Sequence, residues 1–255
     1  MTAPKVYKTE AIVLRRLNVG EADKLLVLFT PTLGKVRAIA RGARRPKSRL
    51  GGHLEVPCHC TLMLARGQNL DIVTQAQTIE SFLPLRSDLR RSSQALYAAE
   101  LVEQLTAEHG EGYAVYGLLL ETLRRLCQDT NQELVMRHFE LNLLTHLGYR
   151  PQLYSCLECR AALKPVLNFF SPHLGGVLCP ACGGCLPDAR PISPNAVKAM
   201  RFMAESPYPQ ASRLRMGREL SEEIEGLLRR YILYLLEHEV KSVQFLDLLR
   251  REPIC

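Results

Sequence analysis

Over the first third of the chain, apolar residues recur at every second position. In LEVPCHCTLMLAR, Leu54, Val56, Cys58, Cys60, Leu62 and Leu64 alternate with Glu55, Pro57, His59, Thr61, Met63 and Ala65. That period marks a strand with one buried face. It also predicts strands at Tyr7–Arg16, Lys24–Thr30, Lys35–Arg41 and Leu70–Ile79, with turn residues in TPTLG and RGQN. Five short strands within about 75 residues suit a small closed barrel; the OB barrel is the expected form and an SH3-like barrel the competing one.

From Ser87 the period becomes helical. Leu96, Ala99, Val102 and Leu105 make one apolar stripe, and Tyr116, Leu119, Leu123 and Leu126 a second. Met136, Phe139, Leu143 and Leu147 make a third, which Gly148 is placed to stop. Ser193-Pro194 reads as a helix cap followed by a first-turn proline, and Ile224, Leu227, Leu228, Tyr231 and Leu235 mark a long helix. The chain is thus expected to be α+β and multidomain: a barrel over residues 1–82, a helical domain in two parts over 83–152 and 191–255, and an insertion over 153–190.

That insertion contains CLECRAALKPVLNFFSPHLGGVLCPACGGC, which follows neither period. Cys156-x2-Cys159 and Cys179-x2-Cys182 are separated by 19 residues, as in a four-cysteine zinc ribbon. A two-residue gap lets both thiolates of a pair reach one tetrahedral ion at ~2.3 Å, and two pairs complete a closed site. The expected cofactor is one Zn²⁺ per chain with a structural role, since no position is left for water or substrate. Cys185 is an alternative ligand to Cys182. Cys58, Cys60 and Cys127 read as small core residues, and His173 as a loop residue.

Charge singles out one further segment. Pro31–Leu54 holds seven basic residues, Lys35, Arg37, Arg41, Arg44, Arg45, Lys47 and Arg49, and no acidic one. Elsewhere the remaining 26 Lys and Arg are balanced by 26 Asp and Glu, so the whole formal excess of +7 lies there. Alternation in the strand puts Lys35, Arg37, Ile39 and Arg41 on one face and Val36, Ala38 and Ala40 on the other. A basic strand face with an adjoining basic loop is how small barrels hold nucleic acid, so these seven residues are the candidate nucleic-acid contacts; a solvated face and a membrane surface are the competing readings. The region's aromatics are Tyr7, Phe29 and Phe82, with no Trp. Binding should therefore rest on phosphate contacts and leave bases unstacked and free to pair.

Phosphate-loop, HExxH, G-x-S-x-G and strand-linked GxGxxG signatures are missing, so no catalytic residue is assigned. No apolar run approaches the roughly 18 residues of a membrane span, and nothing resembles a signal peptide. The expected location is the cytoplasm, where cysteines stay reduced and favour metal over disulfides.

VLRRLNVGEADKLLVLFTPTLGKVRAIARGARRPKSRLGG (Val13–Gly52), YAAELVEQL (Tyr97–Leu105), LLTHLGYRP (Leu143–Pro151), the two cysteine pairs and KSVQFL (Lys241–Leu246) together resemble the RecO family of bacterial recombination mediators. The likeness runs in order along nearly the whole chain. It implies an OB barrel, a helical domain and a zinc-binding insertion. It also implies a nucleoid-associated protein that binds single- and double-stranded DNA, anneals complementary strands and works with RecR to load RecA onto SSB-coated single strands. The acidic, apolar C-terminal tail of SSB would need a cationic and apolar groove, for which Arg124, Arg125, Arg229 and Arg230 beside leucine stripes are candidates. One departure is the Gly- and Arg-rich link Gly42–His53, which leaves the usual OB helix in doubt. A zinc-ribbon RNA-binding or transcription accessory module, and a metal-dependent nuclease, are the competing readings.

Overall fold

In the computed structural model, which describes residues 5–108, 110 and 112–236, the alternating segments form five strands. They are β1 (Val6–Val19), β2 (Asp23–Thr30), β3 (Gly34–Ala40), β4 (His59–Ala65) and β5 (Asp71–Glu80). They close into a barrel in the order β1-β2-β3-β5-β4, with β3 and β5 parallel and the other pairs antiparallel. Closure depends on β1. Val6–Ile12 pairs with β4 and Ile12–Val19 with β2, and the register shifts between Val13 and Arg15.

Ala11, Val13, Leu26, Leu28, Ala38, Ala40, Leu62 and Leu64 belong to the barrel core. Alternation is broken in β1 and β2, where Ala11–Leu14 and Leu26–Thr30 are buried without interruption. The second face is covered because helices follow: α1 (Leu83–Ser87), α2 (Leu89–Leu105) packed on β1, and α3 (Tyr113–Gln128) packed on β2. Asp88 caps α2 by accepting from the Arg91 N–H.

Three sequence expectations need correction here. β4 begins at His59 rather than Leu54; Pro57 has no N–H to give a ladder, although Leu54 and Cys58 are still buried in the core. Between β3 and β4 there is one 3₁₀ turn, Gly51–His53, in place of the doubtful helix. Leu96 is 40% exposed, and α2 instead buries Ala95, Ala98, Ala99, Leu101 and Val102, small side chains that bring the helix close to its neighbours. The α3 stripe is buried in full, as expected.

The chain divides into two compact units, one reaching Asp129 and the other starting at Thr130. The second unit contains α4 (Gln132–His146), β6 (Asn168–Ser171), β7 (Gly176–Leu178), α5 (Pro180–Gly183), β8 (Arg190–Ile192), α6 (Pro194–Glu205), α7 (Tyr208–Ala211) and α8 (Arg218–Leu236). Helix α4 packs against α6 and α8, burying Met136, Phe139 and Leu143 on one side and Ile224, Leu227 and Leu228 on the other. Gly148 follows α4 with φ +83°, and the Ser193 hydroxyl accepts from the Ala196 N–H at 3.1 Å to open α6. In α8 the buried face ends on Ile232 and Leu236, with Leu235 only partly covered. KSVQFL lies outside the described residues.

Within the first unit, Arg124 on α3 grips the end of β5, its Nε 3.0 Å from Glu80 Oε2 and its Nη1 2.8 Å from Glu121. The hydrogen bond from Arg124 holds the Glu80 carboxyl below the usual range. A carboxylate so shifted stabilises the fold above its unfolded-state value, and that contribution is lost as pH falls through the lowered folded-state value. Urea titrations should find Glu80→Gln less stable by up to ~1 kcal/mol at neutral pH. The gap should close on acidification below the ordinary glutamate range; a gap independent of pH would contradict the assignment.

Candidate nucleic-acid interface and four-cysteine centre

The basic loop after β3 is fastened to the β1–β2 hairpin. Asp23 Oδ1 accepts from the Gly42 N–H at 2.8 Å, and the Ala22 carbonyl accepts from the Arg44 N–H at 2.9 Å. Gly42 takes φ +65°, a left-handed conformation that disfavours any side chain. Ala43 is buried in the barrel core, so its neighbours Arg44 and Arg45 point outward. At the far end, His53 Nδ1 lies 2.9 Å from the Thr78 hydroxyl on β5. Between these anchors Arg44, Arg45, Lys47 and Arg49 are exposed, as is Arg41. Among the described residues none of these five cations forms an ion pair with a carboxylate.

Strand β3 alternates as its sequence predicts, with Val36, Ala38 and Ala40 buried. Its two leading cations, however, are engaged within the same unit, Lys35 half-buried and Arg37 on the exposed surface. Lys35 Nζ is 2.5 Å from the carbonyls of both Glu103 and Thr106, at the C-terminal end of α2, where helix dipoles favour a cation. Burial lowers the Lys35 pKa, against the opposing pull of Glu108 and Glu103. Arg37 Nε is 2.6 Å from Glu108. These partners lie some seventy positions along the chain, beyond any periodicity in the strand.

Beside the loop lies a groove of about 690 Å³, lined by Arg16, Leu17, Asn18, Lys24, Arg44 and Gly51. Arg16 and Lys24 were not among the residues picked out by charge density, because each sits in a segment of mixed sign.

In the second unit, Cys156, Cys159, Cys179 and Cys182 bring their sulfur atoms within 4.8 Å of one another. Two backbone turns do this. The Arg160 N–H donates to the Cys156 carbonyl at 3.0 Å, and the Cys182 and Gly183 N–H groups both donate to the Cys179 carbonyl. Cys159 and Cys179 Sγ are 3.8 Å apart, and a tetrahedron with ~2.3 Å metal–sulfur bonds has an edge of about 3.8 Å. The donor set and spacing therefore fit a metal ion. Burial opposes ionisation of Cys156, but N–H groups of Cys179, Cys159 and Glu158 outweigh it and bring the thiol to about 6. The hydrogen bond with Cys179 pushes Cys182 up to about 12. Cys185 is exposed and outside the cluster. His173 contacts the Tyr234 hydroxyl at 2.9 Å.

Of the four arginines considered for an acidic tail, Arg124 is held by Glu80 and Glu121, and Arg125 reaches Glu121 at 3.8 Å. Arg230 is exposed on α8. No described helix is long and apolar enough to cross a membrane.

A closed OB-type barrel with a cationic loop, and a second, helical unit bearing a four-cysteine cluster, define a multidomain α+β protein with a candidate metal centre. Residues 1–82 match the family Recombination protein O N terminal, and residues 86–244 match Recombination protein O C terminal. Curated relatives named DNA repair protein RecO include that of Roseiflexus sp. (strain RS-1), 46% identical over 97% of this chain and 87% of its own length. That of Dehalococcoides mccartyi (strain CBDB1) is 41% identical over 98% of both chains, and that of Symbiobacterium thermophilum is 40% identical over 96% and 98%. The chain belongs to the RecO family.

If Lys35 serves the fold, Lys35→Met leaves two helix-end carbonyls without their cation and should cost ~1–3 kcal/mol in chemical denaturation. DNA affinity measured well below the melting temperature should then stay within about twofold of wild type, a difference of about 0.4 kcal/mol. A selective loss of affinity without loss of stability would restore Lys35 to the interface.

Proposed function

We propose that this chain is a DNA repair and recombination mediator rather than a catalyst. In this reading it binds single- and double-stranded DNA through the barrel and anneals complementary strands. With RecR it helps load RecA onto SSB-coated single strands, in the cytoplasm and at the nucleoid. Membership of the RecO family supports the repair role. The observation that carries the DNA-binding part is the fan of five exposed cations, Arg41, Arg44, Arg45, Lys47 and Arg49, on a loop pinned to a closed barrel. Backbone phosphates are the ligand such a fan suits, because it has no aromatic platform for stacking bases. Lys35 then serves to hold β3 to α2, and Arg37, paired with Glu108 through its Nε on the exposed surface, stands beside the interface. Bringing two strands together requires screening both polyanions, which links annealing to the same charges.

Arg41→Glu with Arg45→Glu should lower affinity to a similar degree for unrelated sequences. The plot of log K against log salt should flatten by roughly one to two units, given about 0.7 per single-strand phosphate contact and about 0.9 per duplex contact. Annealing of SSB-coated complementary oligonucleotides should fall in parallel. Wild-type binding and annealing by a folded double variant would place the DNA path elsewhere.

For the cysteine centre we propose one structural zinc ion, held by Cys156, Cys159, Cys179 and Cys182. When bound it would supply only cross-linking, since four protein ligands leave no open position. Elemental analysis should give one zinc per chain in wild type and none in Cys156→Ser/Cys179→Ser. That variant should show faster proteolysis around residues 153–192 and unchanged affinity of the barrel for DNA. Full-length protein that is metal-free yet equally protease-resistant would refute a structural ion.

A further inference from the structure

The groove beside the loop contains a feature that the proposed function leaves unexplained. Lys24 is only 9% exposed and lines the groove wall, opposite Asn18 in the β1–β2 ladder. Its ammonium lies 3.6 Å from Glu55 Oε1, and Arg16 is ion-paired with that same oxygen. Glu55 is the only acidic residue between Asp23 and Asp71. Two cations thus converge on one carboxylate oxygen, and Arg44 lines the same groove with its Nη1 3.3 Å from the Gly20 carbonyl. A single negative charge shared by two cations that line an open groove has the polarity of a phosphodiester in a backbone-binding site.

We propose that this groove is a phosphodiester subsite, continuous with the cationic loop, in which Glu55 stands in for the phosphate until a nucleic-acid backbone displaces it. The inference rests on the reading of the loop as DNA-facing. The carboxylate keeps Lys24 from being a buried, unpaired charge in the free protein, and it is exposed enough to swing into water when replaced. The arrangement also selects for polymers. A lone small anion must displace Glu55 unaided, whereas a strand already held by Arg41, Arg45 or Lys47 presents its next phosphate at high effective concentration. Leu17 and Val19, 43% and 42% exposed at the end of β1, offer apolar surface next to the groove for sugars and base faces.

The test is anisotropy titration of the full-length protein with a mixed-sequence single-stranded oligonucleotide across a salt series. Freed of its internal competitor, Glu55→Gln should bind several-fold more tightly, with a salt slope close to that of wild type, because the same two cations meet phosphate in both complexes. Inorganic phosphate should compete with the oligonucleotide in Glu55→Gln at concentrations that leave wild type unaffected. Arg16→Ala, a half-exposed position that does not depend on Glu55→Gln folding, should weaken binding, and more so when combined with Glu55→Gln. Wild-type affinity and slope in a folded Arg16→Ala protein would overturn the subsite. If Arg41→Glu/Arg45→Glu still loses DNA in that case, the loop reading survives and only the subsite falls. If it too binds like wild type, both fall.

Discussion

One strand with two partners makes the rest of the first unit possible. β1 gives Val6–Ile12 to β4 and Ile12–Val19 to β2, turning through a register shift after Val13. Without that shift one strand could not follow the wall past the seam, and the barrel would stay open with two unpaired edges. The interior that results is narrow, which is why Ala11, Ala38, Ala40 and Ala43 line it beside leucines. The outer faces of β1 and β2 become the seats of α2 and α3, so the barrel and its helices share Ile12, Leu14, Val27 and Phe29 as a second buried layer.

Much of this was legible in the amino-acid sequence because it is periodic. Barrel strands, the α3 stripe and the Gly148 stop all follow from local spacing. What escaped is what depends on distant partners. Counting charges picks out the cationic segment but could not tell that Lys35 is held by carbonyls of Glu103 and Thr106, or Arg37 by Glu108. Nor could it tell that Lys24 and Arg16 converge on Glu55, since their charges are offset locally by Asp23 and Glu21. Leu96 was misplaced for a related reason: α2 buries alanines, and alanine is too common for its period to stand out.

Two motifs that look independent in the chain are one contact in space. Gly20-Glu21-Ala22-Asp23 supplies a carbonyl and a carboxylate, and Arg41-Gly42-Ala43-Arg44 supplies the two N–H groups that meet them. Each half helps to position the other. The cysteine pairs are the opposite case. Their geometry is set locally by two tight turns, so spacing alone predicted the cluster, and only the irregular segment around it, including the left-handed Arg160 with φ +63°, was beyond sequence reasoning.

The loop that carries the exposed cations is tethered to Asp23 at one end and to Thr78 at the other. This separates it from the disordered basic arms that many polyanion-binding proteins use, which must become ordered as they bind. A pinned loop loses little conformational entropy on docking, and its contacts are polar rather than apolar. Calorimetry on such a surface would show a heat-capacity change near zero and an association driven by counterion release, with none of the strongly negative heat capacity that accompanies coupled folding.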